Sequence, residues 1–235
     1  MQKPKLMQKK KVAIFDIDGT IFRSSLLIEL VEELIDMEVF EEEVRDIYEK
    51  EKRAWLDRRG DYESYVNATV KAFVQNLIGV RYRDLEWAGK RVVDRMGFQV
   101  YRHTTDLVQL LKKKGYYLVA ISHSPKIVVD QFAKRLGFNK VYGMMYEIGP
   151  NDAFTGKILD SHVIGNKANV VERAVLKENL TLKGSYGVGD TETDISFLSM
   201  VDRPLAFNPN KKLLKHATKK KWSVVVERKD VVYKF

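Results

Sequence analysis

The stretch of sequence that decides the fold is KVAIFDIDGT, residues 11–20. Its continuous apolar run, residues 12–15, is typical of a short buried strand, and Asp18-Gly19 is a turn signal at the end of that strand. Asp16 and Asp18 point the same way there, and beside a cation one carboxylate can attack while the other moves a proton. Taken alone, the string also fits an acidic turn with Gly19 at a positive φ.

Helix and strand patterns beyond this strand predict the fold class. An all-helical block extends to about residue 97, and strands then alternate with helices to the end of the chain. The later strands are expected at residues 116–121, 184–188, 203–207 and 222–226, with a further short strand after residues 140–145. The later helices are expected at residues 105–114, 125–136, 165–176, 193–200 and 211–220. We therefore expect an α/β fold with a doubly wound, mainly parallel, Rossmann-like core (residues 1–22 and 98–235) and an inserted helical cap domain (residues 23–97).

Three further motifs follow predicted strands or begin predicted helices, and in open α/β sheets ligands bind beyond the carboxyl ends of the strands. Residues 122–124 (Ser-His-Ser) precede a helix, where a hydroxyl and backbone N–H groups can bind an anion; a plain helix cap is the alternative. Asp190 and Asp194 flank a strand-to-helix turn and can bind a hard cation or cap the helix. Lys167 begins a helix, which is unfavourable for a cation unless an anion lies near; a solvated lysine is the alternative.

Composition excludes several kinds of chemistry. The 235 residues contain no cysteine, which excludes disulfides, Cys-ligated metal centres and a cysteine nucleophile. The net charge of +9 is concentrated in two lysine-rich ends, residues 1–11 and 211–235, around a slightly acidic body. Such ends are usually solvated, so we do not predict nucleic-acid binding, with weak RNA contact as the alternative.

No apolar run approaches the roughly 18–20 residues of a membrane span, and the start MQKPKLMQKKK has no signal-peptide pattern, so we expect a cytoplasmic protein without membrane contact.

The order of the four motifs, DxDGT, Ser, Lys and GDxxxD, resembles the haloacid dehalogenase (HAD) superfamily of phosphohydrolases over essentially the whole predicted core. The helical block directly after the first motif is similar to the small all-α cap of the phosphoserine-phosphatase-like branch (subfamily IB). Residues 204–210 (PLAFNPN), with the Lys-rich helix that follows, are similar to the tail of that branch. The resemblance implies a Mg²⁺-dependent phosphomonoesterase acting on a small phosphorylated metabolite.

The resemblance also implies a role for each motif. Asp16 would be the nucleophile that forms an aspartyl-phosphate, and Asp18 the acid and base. Mg²⁺ would be bound by the carboxylates of Asp16 and Asp190 and the backbone carbonyl of Asp18, with Asp194 orienting a water. The phosphoryl group would be bound by the remaining motif residues: Gly19, Thr20, Ser122 and Lys167. His123 lies beside this cradle and is a candidate for substrate contact, with a local structural hydrogen bond as the alternative.

The resemblance does not extend to the residues that recognise the substrate. Phosphoserine phosphatases recognise the amino acid with a glutamate nine residues after the nucleophile and with an arginine in the cap. Here position 25 is Ser, and residues 62–69 contain no arginine, so we do not expect phosphoserine. The cap aromatics, which include Trp55, Tyr62, Tyr65 and Phe73, are expected mostly in the cap core, with one or two lining the substrate pocket. Two other functions stay open: phosphotransfer to a sugar or alcohol instead of water, and a non-catalytic binding or regulatory role that uses the basic termini.

Overall fold

The computed structural model describes residues 9–160 and 164–235, so most of the basic N-terminal segment, residues 1–8, lies outside the described residues. The described chain has one mostly parallel sheet of eight strands with helices on both sides. This confirms the predicted α/β, Rossmann-like fold class. No helix in the described ranges is both long and apolar enough to cross a bilayer.

The sheet has the first strand near its centre. The strands are β1 (Lys10–Asp16), β2 (Tyr117–Pro125), β3 (Lys140–Ile148), β4 (Phe154–Leu159), β5 (Leu180–Gly189), β6 (Arg203–Phe207), β7 (Ser223–Arg228) and β8 (Val231–Lys234). Their order across the sheet is β4-β3-β2-β1-β5-β6-β7-β8, and the central pairs are parallel while β4 and β8 pair antiparallel at the edges. Because β2 and β5 flank β1, the strand order changes direction there, and a crevice is expected at the carboxyl ends of these three strands.

The helices divide into a group after β1 and a group between the later strands. In the described residues they are α1 (Leu26–Asp36), α2 (Glu49–Leu56), α3 (Tyr62–Asn76), α4 (Tyr82–Met96), α5 (Arg102–Lys113), α6 (Lys126–Leu136), α7 (Lys167–Lys177), α8 (Ile195–Leu198) and α9 (Lys211–Lys220). Short 3₁₀ turns lie at Glu42–Ile47, Pro150–Asp152 and Glu192–Asp194. We call residues 26–96, which contain α1 to α4, the helical block.

The helical block packs against α6 and shares one continuous apolar cluster with one face of the sheet. Its buried side chains, which come from all parts of the block except α2, include Leu30, Leu34, Phe40, Phe73, Leu85 and Val92. At the boundary, Gln131 of α6 donates from Nε2 to the Glu86 carbonyl at 3.1 Å, and Arg135 donates to the Val93 carbonyl at 2.5 Å. The pairing with α6 is one of several attachments, because Phe73 packs against Tyr146 of β3 and the backbone N–H of Phe154 in β4 donates to the Val80 carbonyl.

The edges of the sheet differ in part from the sequence prediction. The prediction that residues 222–226 form the last strand is wrong, because β8 follows β7 in an antiparallel hairpin. β8 (VVYK) has only four residues and follows β7 after two, so it is too short to show the alternation of apolar and polar residues that indicates a strand. Residues 140–145 themselves belong to β3, and the short strand expected after them is β4, which pairs antiparallel with β3. The helix expected at residues 193–200 is shorter, because a 3₁₀ turn that ends at Asp194 replaces its first turn.

Candidate active site

Three neighbouring strand ends bring the motifs to one edge of the sheet. β1 ends at Asp16, which pairs with Ile121 of β2, the residue directly before Ser122. On the other side of β1, β5 ends at Gly189, so Asp190 emerges at the same edge. The parallel register therefore gathers side chains that are more than one hundred residues apart in sequence.

Lys167, at the first position of α7, is the buried cation of this edge. Its Nζ lies 2.5 Å from Asp16 Oδ1 and 2.6 Å from Asp194 Oδ1, and its side chain is only 3% exposed. Burial alone would lower the pKa of Lys167, but the two carboxylates outweigh it and raise the pKa above its ordinary value. The alternative of a solvated lysine does not hold, because Lys167 forms a buried ion triad with two acids.

Asp18 is held in place by the start of α1 and by two serines of β2. Its Oδ1 accepts from the backbone N–H of Leu26 at 2.5 Å, and its Oδ2 accepts from the hydroxyls of Ser122 and of Ser124, the latter at 3.0 Å. Ser124 also accepts from the backbone N–H of Leu27 at 3.1 Å. Burial raises the pKa of the Asp18 carboxyl despite these hydrogen bonds. Ser124 was not among the candidate residues, although its spacing of two from Ser122 on a strand indicates the same face.

Gly19 and Thr20 bring the loop after β1 against Asp190. A Cβ atom at Gly19 would lie 2.2 Å from Asp190 Oδ2, and Gly19 has φ +77°, so both space and backbone conformation require glycine. Thr20 Oγ1 donates to Asp190 Oδ1 at 3.4 Å. The first and last motifs of the sequence therefore touch directly.

Asp194 is fully buried and fixes the loop that carries Asp190. Its Oδ2 accepts from the backbone N–H groups of Asp190 at 2.9 Å and Thr191 at 3.1 Å, while Oδ1 is taken by Lys167. A Cβ atom at Gly189 would lie 2.5 Å from Asp194 Oδ2, so this turn also needs glycine. Both carboxylate oxygens of Asp194 thus have protein partners.

The acids of this edge form a set of hard oxygen donors. Carboxylate oxygens of Asp16, Asp190 and Asp194 all lie within 4.8 Å of one another, and Asp16 Oδ2 is buried without a hydrogen-bond partner. Burial, followed by the charges of Asp194 and Asp18, raises the pKa of Asp16 to about 7, although Lys167 opposes this. Burial and the charge of Asp16 also raise the pKa of Asp190 well above its ordinary value. A divalent cation would offset the repulsion among these three carboxylates, so the donor set fits Mg²⁺.

His123 lies at the rim of the site. The residue is exposed overall, and its Nε2 lies 3.2 Å from the carbonyl oxygen of Ile164. Desolvation of the ring by surrounding protein, followed by the charge of Lys167, lowers the pKa of His123 to about 4. The ring therefore makes the local hydrogen bond that the sequence left as an alternative, and it is neutral at pH 7.

The family model for haloacid dehalogenase-like hydrolases matches residues 13–199, which covers all four motifs. The chain belongs to this family. A phosphoserine phosphatase of Mycobacterium tuberculosis is 24% identical over 218 residues, covering 90% of this chain and 69% of that protein. A phosphoserine phosphatase of Methanocaldococcus jannaschii is 23% identical over 225 residues, covering 95% of each. This HAD-family protein is accordingly an enzyme of the phosphatase branch, as the motif order predicts.

The fold of this HAD-family chain has solved counterparts. A phosphoserine phosphatase with an analogue of its phospho-aspartyl intermediate superposes with a TM-score of 0.62 and 22% identity, covering 95% of this chain and 96% of that one. At that level of identity the likeness establishes the fold.

Three aromatic side chains of the helical block, Trp55, Tyr62 and Tyr65, form a cluster. Tyr62, the first residue of α3, packs against Trp55 with ring centroids 5.2 Å apart and against Tyr65 at 6.3 Å. Burial raises the pKa of the Tyr62 hydroxyl, and the charges of Asp18 and Asp190 raise it further. The hydroxyl is thus close enough to the HAD motifs to be affected by both carboxylates.

An ion-pair chain joins the helical block to the loop that carries Asp190. Lys212 of α9 contacts Glu192, two residues after Asp190, and lies 3.4 Å from Glu63 of α3. Lys212 was not singled out in the sequence, because one lysine in a lysine-rich helix carries no distinguishing pattern.

Proposed function

We propose that the protein is a Mg²⁺-dependent phosphomonoesterase that hydrolyses a small phosphorylated metabolite through an aspartyl-phosphate on Asp16. This proposal rests on the hydrogen bonding of the two carboxylate oxygens of Asp16. Lys167 fixes Oδ1 at 2.5 Å, while Oδ2 is buried and has no hydrogen bond within the described residues. Buried carboxylate oxygens are nearly always paired, so Oδ2 is suited to meet an incoming ligand or reacting atom.

The reaction has two balanced steps. In the first, a carboxylate oxygen of Asp16 attacks phosphorus, the bond from phosphorus to the leaving oxygen breaks, and Asp18 gives its proton to that oxygen. In the second, Asp18 takes a proton from water, the water oxygen attacks phosphorus, and the bond to Asp16 breaks. Phosphate leaves, and both carboxyl groups return to their starting protonation. Burial raises the pKa of the Asp18 carboxyl, and this is the direction of shift that a proton donor needs.

The metal would be held by the carboxylates of Asp16 and Asp190 and by the backbone carbonyl of Asp18. The metal supplies positive charge beside the phosphoryl oxygens and the nucleophile. Asp194 acts differently, because both its oxygens are taken by Lys167 and by backbone N–H groups. We assign Asp194 to positioning Lys167 and the loop after β5, with any contact to the metal through water.

The phosphoryl oxygens are bound by Ser122, Lys167 and the backbone around Gly19 and Thr20. The Ser122 hydroxyl donates to Asp18 in this structure, so binding phosphate requires its proton to turn from Asp18 to a phosphoryl oxygen. Ser124 then keeps Asp18 hydrogen-bonded while Ser122 is engaged. His123 is assigned to the rim of this cradle.

The helical block, within a domain of residues 23–97, serves as a cap over a core of residues 1–22 and 98–235. The relatives named phosphoserine phosphatase make phosphoserine the first substrate to test. We propose a different small phosphate ester, because Ser25 stands at the position of the family's amine-binding glutamate and its side chain is buried. An ammonium group would have no carboxylate to meet there.

The experiment is hydrolysis of p-nitrophenyl phosphate and a panel of small phosphate esters with Mg²⁺, with and without EDTA. Asp16→Asn is compared with Asp46→Asn, an exposed aspartate of the helical block. We expect turnover by the wild type and Asp46→Asn, loss with EDTA, and a folded but inactive Asp16→Asn. Unchanged turnover by Asp16→Asn, or no ester hydrolysed by the wild type, contradicts the proposal.

A further inference from the structure

Ser124 is a buried serine of β2 that contacts both the catalytic edge and the helical block. Only 3% of the residue is exposed, and it lies where the pairing of β2 with β3 shifts register, between Ile121 and Pro125. Its hydroxyl donates to Asp18 Oδ2 at 3.0 Å, and the same oxygen accepts from the backbone N–H of Leu27 at 3.1 Å. Because the backbone N–H occupies one side of the oxygen, the hydroxyl stays directed at the Asp18 carboxylate.

The start of α1 is capped by side chains that lie outside the helix. Ser25 is the N-cap residue, but within the part of the chain that the structure describes its side chain makes no capping hydrogen bond. The backbone N–H of Leu26 instead donates to Asp18 Oδ1 at 2.5 Å, and that of Leu27 donates to Ser124 Oγ. Two of the N–H groups that a helix start leaves unpaired are therefore bound by the proposed acid and by its serine partner.

The two serines of β2 donate to the same oxygen of Asp18 but have different further contacts. Ser122 Oγ accepts from the backbone N–H of Ser124 at 2.8 Å, within its own strand, whereas Ser124 Oγ accepts from α1. In the proposed reaction the Ser122 hydroxyl turns to a phosphoryl oxygen, so Ser124 is the hydroxyl that stays on Asp18.

The Ser124 hydroxyl therefore meets the charge that forms when Asp18 acts as an acid. As the bond from phosphorus to the leaving oxygen breaks, the proton of Asp18 passes to that oxygen, and the carboxyl group becomes a carboxylate. A hydrogen bond to an ionised acceptor is stronger than one to a neutral acceptor. The contact with Ser124 is thus strengthened during proton transfer and favours that transfer.

We propose that Ser124 is a positioning residue for the acid Asp18, and that it determines how efficiently the enzyme expels a poor leaving group. The inference rests on the proposed phosphomonoesterase function and goes beyond it by dividing the work of the two serines: Ser122 acts on the phosphoryl group and Ser124 on the leaving group. An ester whose leaving group is a stable anion needs little proton donation, whereas the ester of a weakly acidic alcohol depends on it.

The test compares p-nitrophenyl phosphate with phenyl phosphate, which has a similar shape and a poorer leaving group. With Mg²⁺ present, kcat/KM is measured for both esters, because it reports the steps up to loss of the leaving group and leaves out hydrolysis of the intermediate. The ratio of the two values, p-nitrophenyl over phenyl, is the quantity compared among variants. Partial unfolding or weaker phosphate binding lowers both values alike and leaves the ratio unchanged.

The variants are Ser124→Ala and Ser124→Gly, which lack the hydroxyl, and Ser124→Thr, which keeps one. Ser185→Ala is the matched control, because Ser185 is a fully buried serine of β5 whose oxygen accepts from the backbone N–H of Asp202 at 3.2 Å. A role of Ser124 limited to capping α1 would lower stability without changing the ratio.

We expect the ratio to rise by about tenfold in Ser124→Ala and Ser124→Gly, the scale of one hydrogen bond to a charged group. Ser124→Thr and Ser185→Ala are expected to keep the wild-type ratio. An unchanged ratio in the variants without the hydroxyl, or an equal rise in Ser124→Thr or Ser185→Ala, overturns the inference alone. Failure of the wild type to hydrolyse either ester overturns the proposed function, and this inference with it.

Discussion

The carboxyl edge of the sheet and the facing side of the helical block are built from different kinds of contact. At the sheet edge, Lys167, Asp16 and Asp194 form ion pairs of 2.5 and 2.6 Å with side chains that are almost completely buried. Between the block and this edge, the pair of Lys212 and Glu63 is 3.4 Å long, and both side chains are about two-thirds exposed. Buried charges of the first kind are costly to disturb, whereas exposed pairs of the second kind contribute little and are screened by salt.

This difference separates the chemistry from the choice of substrate. The buried triad leaves no freedom for its members, so a change there affects every substrate alike. Apart from the backbone N–H groups of Leu26 and Leu27 at the start of α1, the block meets the site through side chains of an aromatic cluster and one weak ion pair. A change in those side chains therefore affects substrates unequally and by small factors. The predictions below test this separation, from the largest expected effect to the smallest.

The largest effect is expected for Asp16→Asn. Removal of the nucleophile lowers kcat for p-nitrophenyl phosphate by about 10⁴-fold or more, the scale seen when a covalent nucleophile is removed. The measurement is steady-state turnover with Mg²⁺, with Asp46→Asn beside it. A loss of less than tenfold would show that the reaction does not pass through Asp16.

Lys167→Met removes the cation between two buried carboxylates. We expect the free energy of unfolding in urea, without Mg²⁺, to fall by about 3–5 kcal/mol, the usual cost of breaking a buried pair on one side. Lys177→Met is the matched control, because Lys177 is exposed at the other end of α7. Equal stability of the two variants would mean that the triad does not stabilise the fold.

The pH dependence of stability without Mg²⁺ reports the raised pKa of Asp16. The folded state binds a proton with a pKa of about 7, while the unfolded state does so near 3.8, so the folded state holds more protons between these values. The free energy of unfolding is therefore expected to fall as pH rises from about 4 to about 7, by on the order of 4 kcal/mol. Urea unfolding at several pH values measures the slope, and Asp16→Asn should lose this component. A wild-type slope equal to that of Asp16→Asn would contradict it.

Glu63→Gln breaks the weak link between α3 and Lys212 while leaving the Lys212 contact with Glu192. We expect kcat/KM to fall by less than about fivefold, mostly through KM, and the difference from the wild type to vanish at high salt. Glu43→Gln, an exposed glutamate of the block, serves as the control. A loss of a hundredfold, or one that persists in high salt, would show that the block is bound as rigidly as the sheet edge.

The sequence predicts the parts of this molecule that depend on local pattern. The apolar run before Asp16, the helix at residues 211–220 and the alternation of strands with helices all depend on residue periodicity, and the structure has them. The four-residue β8 is too short to show such a pattern and was missed.

Side-chain partners across the fold were harder to predict. The spacing of Ser122 from Asp18 does not reveal that the serine hydroxyl donates to the carboxylate, since the contact joins residues that are far apart in sequence. In the sequence, Lys212 is one of several lysines in the same helix, and nothing marks it out. Only the folded chain shows that it pairs with Glu63 and Glu192. Motif order therefore located the candidate site, while the pairings inside it required three-dimensional contacts.

The most direct measurement of the central claim is intact-mass spectrometry of the enzyme after acid quench during turnover of p-nitrophenyl phosphate with Mg²⁺. Acid preserves an acyl phosphate long enough to detect it, and peptide mapping locates it. The account predicts a fraction of enzyme heavier by one phosphoryl group, located in the peptide that contains Asp16, and none in Asp16→Asn. Active turnover with the phosphoryl group found on another residue, or with the same adduct in Asp16→Asn, would contradict the account.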